Sequence, residues 1–282
     1  MQTQKKLAFC ITCMNRLSHI QKTLVDNMEN NFLPNTVNKK DIERKYMNTN
    51  NGILQYINLS NLKMKDKIAL LSIISEKLLL KDSFSENIGL LNGKTGIAIF
   101  FFHYAKFIKN RDYNDFACEL VGEIYKEINT CLTCDFSDGL CGIGWGMLYL
   151  MEQNFIEGDP DEVLEEIDHY LVQNCLDMLK KSKILYDINS RGFVNYIINR
   201  NLINNILNQF ENSTESMHLF QELKEIVESK MQATDGFEDT YTFLKKELLF
   251  FDNKRYDISW DLLYNVNILN GLSLLLSENH YL

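Results

Sequence analysis

The chain has 282 residues, of which 45% are hydrophobic, and this is enough apolar material to bury the core of one large domain or two small ones. Its formal net charge of −9 argues against a nucleic-acid partner, because phosphate binding needs clustered lysine and arginine. The sequence shows neither an export signal nor about 18 consecutive apolar residues, so we expect a cytoplasmic protein with no membrane partner.

Charge is distributed unevenly along the chain. Residues 1–80 contain 12 Lys and Arg against 6 Asp and Glu, a net charge of +6, whereas residues 81–282 contain 17 against 32, a net charge of −15. A compositional boundary therefore lies near Lys81. We predict three parts: an N-terminal fragment (1–35), a helical connector (36–80) and a repeat domain (81–282).

The N-terminal fragment contains a predicted buried strand followed by an amphipathic helix, in the stretch KKLAFCITCMNRLSHIQKTLVDNMENN (Lys5–Asn31). This stretch resembles the opening strand, Asn-Arg turn and first helix of family-two glycosyltransferases with the GT-A fold. The resemblance implies a loop that touches a nucleotide-sugar. However, the later sequence does not show the strands of the parallel sheet that completes that fold. We interpret the segment as a glycosyltransferase-like strand-helix appendage. The alternative is that the chain is a truncated or fused glycosyltransferase relative.

After Lys81 the sequence repeats itself at an offset of 46 residues. The stretch NGKTGIAIFFFHYAKF, which starts at Asn92, aligns with DGLCGIGWGMLYLMEQ, which starts at Asp138. Two weaker copies follow, SRGFVNYIINR from Ser190 and LNGLSLLLSE from Leu269. Each copy is predicted to be a glycine turn that opens an apolar inner helix. The repeat glycines are Gly93, Gly96, Gly139, Gly142, Gly192 and Gly271.

Helices of another kind are predicted between these copies, over Tyr113–Asn129 and Asp159–Lys181, because apolar residues recur there at three- and four-residue spacing. The second begins with Asp159 as N-cap and Pro160 at the first helical position. The sequence Asp159-Pro160-Asp161 also has the form of a DxD motif, which can bind a metal-diphosphate group. Helix capping explains it better.

The alternation of inner and outer helices predicts an all-α fold, an incomplete α/α toroid-like stack of about four helical hairpins. The glycines are expected to let the chain turn sharply into each inner helix and to let neighbouring backbones approach. An ordinary helical bundle with glycine-rich loops is the simpler alternative.

The stretches GLLNGKTGIAIFFFHYAK and FSDGLCGIGWGMLYLMEQNFIEGD resemble the glycine-motif repeats of lanthionine synthetase C-like (LanC-like) proteins. The resemblance covers about residues 63–282 and is strongest from Asn87 to Leu171. It implies an α/α toroid with a central cavity and a role in lanthipeptide maturation. In the members that are enzymes, two cysteines and a histidine bind zinc, which makes a peptide cysteine a thiolate that closes a thioether ring.

The zinc-ligand signatures of the active family are a Cys-Gly pair and a later Cys-His pair, and this sequence matches only the first, superficially, at Cys141-Gly142 inside the repeat glycine motif. No Cys-His dipeptide occurs, and no cysteine follows Cys175. The seven cysteines are expected to be reduced thiols, and the two CxxC pairs, Cys10/Cys13 and Cys131/Cys134, lie too far apart to favour a shared structural zinc. We therefore predict no metal or other cofactor, and a zinc-less protein that binds a peptide substrate or a partner modification enzyme.

Candidate peptide-binding side chains lie in and just before the inner helices. Structural roles compete with binding for three of them: His103 as a polar group of the core or cavity edge, Trp145 in core packing and Cys141 as an inert buried thiol. A sugar-active α/α toroid would need paired carboxylates across the cavity, which the inner-helix starts do not obviously supply. The candidates are Asn92, Lys94, His103, Asp138, Cys141 and Trp145.

Overall fold

The computed structural model describes residues 64–84, 86–129, 132–181, 188–210 and 238–253, together with residues 225, 272, 275 and 276. Every regular element within these residues is an α-helix, as predicted. None of these helices has both the length and the apolar content needed to cross a membrane. The N-terminal fragment 1–35 with its predicted strand, and Gly271 of the fourth repeat, lie outside the described residues.

Nine helices have bounds within the described part of the chain, and they are numbered here in chain order. They are α1 (Met64–Phe84), α2 (Lys94–Ile108), α3 (Arg111–Glu127), α4 (Leu140–Glu152), α5 (Pro160–Val163), α6 (Glu165–Lys181), α7 (Ile188–Asn199), α8 (Ile203–Phe210) and α9 (Thr240–Asn253).

The predicted alternation of buried and half-buried helices is confirmed. In α2 every residue from Lys94 to Ala105 is buried, and in α4 every residue from Leu140 to Met151. In α3 only one stripe is buried, with apolar side chains at three- and four-residue spacing, so its other face meets solvent. The outer helix α3 packs along α2, while α4 contacts α2, α6, α7 and α9. The buried stripe of α3 consists of Tyr113, Phe116, Ala117, Leu120 and Ile124.

The predicted outer helix over Asp159–Lys181 is interrupted at Leu164. The Asp159 carboxylate accepts a hydrogen bond from the Asp161 N–H at 2.9 Å, which confirms the predicted N-cap. However, Leu164 has φ −104° and ψ 0°, outside the helical range, although its N–H still donates to the Pro160 carbonyl four residues earlier. The single predicted helix is therefore a short α5 followed by α6.

The two best repeats share the same backbone hydrogen bonds at the start of the inner helix. In the first, the Lys94 N–H donates to the Asn87 carbonyl at 2.9 Å, and in the second the Leu140 N–H donates to the Thr133 carbonyl at 2.8 Å. In both cases the acceptor lies seven residues earlier, so the preceding loop satisfies helix donors that have no intrahelical partner. The 46-residue repeat is thus a structural one.

The repeat glycines are needed for close packing rather than for an unusual backbone conformation. The chain bends at Gly93 and Gly139 directly before the inner helices, as predicted, but their φ values of −124° and −106° are ones that other residues adopt freely, so the bend itself does not require glycine. Close approach is confirmed, because a Cβ at Gly139 would lie 2.7 Å from the Asp135 amide nitrogen. A Cβ at Gly192 would enter the ring of Phe136. Gly96 is buried within α2.

Candidate functional site

A small apolar cavity lies where α2, α4, α7 and α9 meet. Its volume is about 20 Å³, which is room for about one water molecule and far less than a peptide side chain requires. The cavity is lined by Leu90, Leu91, Ile99, Phe136, Trp145, Ile188, Phe243, Leu244, Glu247 and Leu272.

Trp145 of α4 forms one wall of this cavity and is 1% exposed. Its indole Nε1–H donates a hydrogen bond to Asn195 Oδ1 at 2.8 Å, and its ring stacks on Tyr149. The Asn195 amide in turn donates to the Glu238 carbonyl at 2.8 Å. Asn195 and its hydrogen bonds therefore hold the indole in one orientation. The sequence did not indicate this role of Asn195.

An ion pair closes the cavity on the side of α9. Arg191 of α7 donates to Glu247 from Nε and from Nη2, both at 2.7 Å. The Glu247 side chain is 8% exposed, so its charge is compensated almost entirely by this bidentate pair. Sequence reasoning missed this pair because nothing in the local pattern of α9 (Thr240–Asn253) indicates that it reaches the inner helices.

A polar rim borders the cavity where the inner helices begin, and it consists of Asn87, Asn92, Ser137, Asp138 and Asn189. The Asp138 carboxylate accepts hydrogen bonds from the side-chain amides of Asn87 at 3.1 Å and Asn92 at 3.2 Å. The side-chain oxygen of Asn189 accepts from the N–H of Ser137 at 2.8 Å and from its hydroxyl at 2.7 Å. The structure thus brings together two of the predicted candidates, Asn92 and Asp138.

The rim adjoins the cavity through the chain itself. Asn92 follows the cavity-lining Leu91, and Ser137 follows Phe136, which also lines it. Asn92 and Asp138 occupy equivalent positions of the two repeats, 46 residues apart, and they bond to each other. Rim and cavity are therefore two layers of one site built from the same loops.

Lys94 points away from the rim, toward the outer helix α3. Its amine lies 3.1 Å from carboxylate oxygens of both Glu123 and Glu127, and its side chain is 5% exposed. Burial alone would lower the pKa of Lys94, but the hydrogen bonds to the two carboxylates outweigh it and raise the pKa above its usual value. Lys94 therefore links α2 to α3 through ion pairs. It does not contact Asn92 or Asp138 at the polar rim.

His103 lies further along α2, inside the core. Its Nε2 is 2.7 Å from the Tyr149 hydroxyl, and its ring packs edge-on against Phe155. Burial lowers the pKa of His103 to about 3, so the imidazole is neutral at pH 7. His103 and Tyr149 also occupy equivalent positions of the two repeats, and they couple α2 to α4.

The described cysteines and histidines do not fit a zinc site. Cys141 is fully buried in α4, Cys118 is exposed on the outer helix α3, and His169 is exposed and bonds to a neighbouring glutamine. No group of three or more His, Cys, Asp or Glu side chains suited to a metal occurs among the described residues. Cys10, Cys13 and Cys131 lie outside the described residues, so the interpretation of the CxxC pairs stays a prediction.

Of three comparisons with known proteins, one found a match, and it agrees with the repeat pattern. No curated protein matches the chain, and no solved structure does. The N-terminal stretch that resembles a glycosyltransferase lies outside the matched residues, so that resemblance stays a prediction. Residues 84–246, more than half of the chain, match the family model for lanthionine synthetase C-like proteins, and with the repeats described above this shows that the chain belongs to that family.

Proposed function

We propose that this LanC-like protein acts in a thioether-peptide maturation pathway by binding a peptide, or the enzyme that modifies it, without a catalytic zinc ion. The observation that carries the proposal is the family membership over residues 84–246. The missing Cys-His signature, together with described cysteines and histidines that do not converge, favours binding over ring closure.

The small volume of the cavity between the described inner helices also supports binding at the surface. A thioether cyclase must admit both a cysteine and a dehydrated residue of one peptide to its centre, and a cavity of about 20 Å³ admits neither. The ring of Trp145 and the side chain of Glu247, which is paired with Arg191, line that space. We therefore assign peptide contact to the polar rim outside the cavity.

The rim has the chemistry that an extended peptide needs. Asn92 is exposed and supplies both an amide donor and an amide acceptor, and Asp138 supplies a carboxylate acceptor. Peptide N–H and C=O groups would replace the Asn92–Asp138 hydrogen bond at little cost, because that bond lies in contact with water. The two loops that carry these groups are joined by a hydrogen bond from the Leu91 N–H to the Ser137 carbonyl at 2.7 Å.

A binding titration tests this proposal. The probe is a synthetic peptide from a precursor gene adjacent to this one, carrying cysteine and serine or threonine in its tail, in untreated and dehydrated forms. The double variant Asn92→Ala/Asp138→Asn is expected to bind roughly tenfold more weakly, as for the loss of about two interfacial hydrogen bonds. The matched control is Asn114→Ala/Asp115→Asn on α3, which should bind like the wild type.

Two results would overturn the proposal. One is equal binding by the rim variant and the wild type. The other is conversion of the free thiol of the dehydrated peptide to a thioether, rather than a disulfide, faster with the purified protein than without it, which would show that the protein closes thioether rings itself.

A further inference from the structure

Asn189 belongs to the polar rim, but the binding proposed above does not use it. It lies in the first turn of α7, and its side-chain oxygen accepts two hydrogen bonds from Ser137, one from the backbone N–H at 2.8 Å and one from the hydroxyl at 2.7 Å. A backbone N–H can only donate, so the atom of the Asn189 amide that faces it is the oxygen and not the nitrogen. The two bonds therefore fix the amide in one orientation.

The amide nitrogen of Asn189 is left as a hydrogen-bond donor that the protein does not use. Nδ2 carries two N–H groups, and neither has an acceptor among the residues that the structure describes. The side chain is only half-buried. Because the oxygen is already occupied by Ser137, the amide selects a ligand atom that accepts a hydrogen bond over one that donates.

The polar rim connects the starts of three inner helices. Asn92 lies just before α2, Asp138 just before α4 and Asn189 in the first turn of α7. Asn92 bonds to Asp138 at 3.2 Å, whereas Asn189 bonds to the preceding residue, Ser137. The Cα atoms of consecutive residues are about 3.8 Å apart, so the two asparagines flank one dipeptide. A peptide segment of a few residues is long enough to contact both.

We propose that Asn189 is a further peptide-binding residue, which donates a hydrogen bond from Nδ2 to a main-chain carbonyl of the bound peptide. The inference rests on the proposed binding at the polar rim and extends the path of the peptide to α7. A peptide carboxylate would also accept this bond, but the negative charge of Asp138 favours an uncharged carbonyl. Since the amide is already oriented by Ser137, binding does not require a hydrogen bond of the protein to break.

The variant Asn189→Asp tests this role in the full chain, with the synthetic precursor peptide described above as the probe. The carboxylate still accepts both hydrogen bonds from Ser137, but it replaces the outward donor by an acceptor that repels a carbonyl. Binding is therefore expected to weaken roughly tenfold. The matched control is Asn114→Asp on α3, which adds the same charge elsewhere and should bind like the wild type. The difference should persist in about 1 M salt, where the Debye length is about 3 Å and effects of the added charge are screened.

A second measurement uses the wild-type protein and so does not depend on how a variant folds. With ¹⁵N-labelled asparagine, the side-chain NH₂ signals of Asn189 should shift and exchange more slowly with water when the peptide binds, and those of Asn114 should not change.

The role of Asn189 and the proposed function fail in different ways. Equal binding by Asn92→Ala/Asp138→Asn and the wild type would overturn peptide binding at the rim, and the role of Asn189 with it. Loss of binding in that variant, together with wild-type binding by Asn189→Asp in 1 M salt, would overturn only the role of Asn189. Unchanged NH₂ signals of Asn189 in the peptide-bound wild type would do the same.

Discussion

At the scale of single residues, His103 shows how strongly the core constrains a titratable group. The side chain is 5% exposed and is bonded to the Tyr149 hydroxyl, so a charged imidazole would lose most of its hydration. Its pKa falls from about 6.5 in an unfolded chain to about 3 in the folded one. Below pH 6.5 the unfolded chain therefore binds a proton that the folded chain does not.

Because the unfolded chain binds this extra proton, the free energy of unfolding should decrease as the pH falls. Stability should be full above pH 6.5 and decrease as the pH falls toward 3, with a contribution from His103 of about 2 kcal/mol between pH 7 and pH 5. Urea unfolding at both pH values should show this loss in the wild type and a smaller one in His103→Gln. The matched control is His169→Gln, because His169 is exposed. An unchanged pH dependence in His103→Gln would refute the assignment.

Gly142 and Gly122 form a natural pair for testing the close packing of the repeats. Both are helical, but a Cβ at Gly142 would collide with the Phe136 carbonyl oxygen and lie 2.9 Å from Leu90 Cβ, whereas a Cβ at Gly122 would have no atom within 4 Å. Gly142→Ala is expected to destabilise the protein by roughly 1–3 kcal/mol, and Gly122→Ala to stabilise it by about 0.5–1 kcal/mol. Thermal melts of the two variants measure this, and shifts in the same direction would contradict the hairpin packing.

The sequence indicated which glycines matter but not why. The 46-residue repeat showed that Gly139 and Gly142 mark equivalent places. It could not show that Gly139 has an ordinary φ, because turn geometry and close approach select glycine equally well. Only the closeness of the preceding loop, Asp135 at Gly139 and Phe136 at Gly142, distinguishes the two reasons.

At the scale of helices, one buried carboxylate ties the outer helix α6 to the inner helix α7. Asp168 accepts hydrogen bonds from the Tyr196 hydroxyl at 2.6 Å and from Arg200 Nε at 2.9 Å and Nη2 at 2.8 Å. Both side chains of the Asp168–Arg200 pair are 10% exposed. The pair is thus largely removed from water and depends on its own partners.

Asp168→Asn should destabilise the protein by about 3 kcal/mol, because it leaves the Arg200 charge buried with only the exposed Asp161 as its acid partner. Chemical denaturation measures the loss. Asp115→Asn is the matched control, since Asp115 forms an exposed pair with Arg111 and should cost less than about 1 kcal/mol. Similar losses in the two variants would show that the buried pair does not hold α6 to α7.

Some features of the helices could be predicted from the sequence and others could not. The amphipathic period of α3 and the capping residues Asp159 and Pro160 predicted outer helices because these signals are local. The interruption at Leu164 carries no glycine or proline signal at that position, and the role of α9 as a wall of the cavity depends on long-range packing. Asn195 was missed for the same reason, since its partner Trp145 is 50 residues away.

At the scale of the whole molecule, the family of the chain implies a zinc site that the described residues do not form. The chain belongs to a family whose enzymes use zinc, yet the described cysteines and histidines do not converge. We expect the purified protein to contain less than one zinc per chain by elemental analysis. One zinc per chain that is lost in Cys131→Ser/Cys134→Ser would contradict this expectation and would identify those cysteines as ligands.

The backbone capping of the inner helices affects how this surface can change during evolution. Main-chain carbonyls of the preceding loops accept the first-turn N–H groups of α2 and α4, so neither Asn92 nor Asp138 is needed to start a helix. Substitutions at these two positions leave the helix starts intact, unlike substitutions at a side-chain cap. The repeat is therefore a scaffold on which the peptide recognition proposed for these two positions could change while the helix starts stay the same.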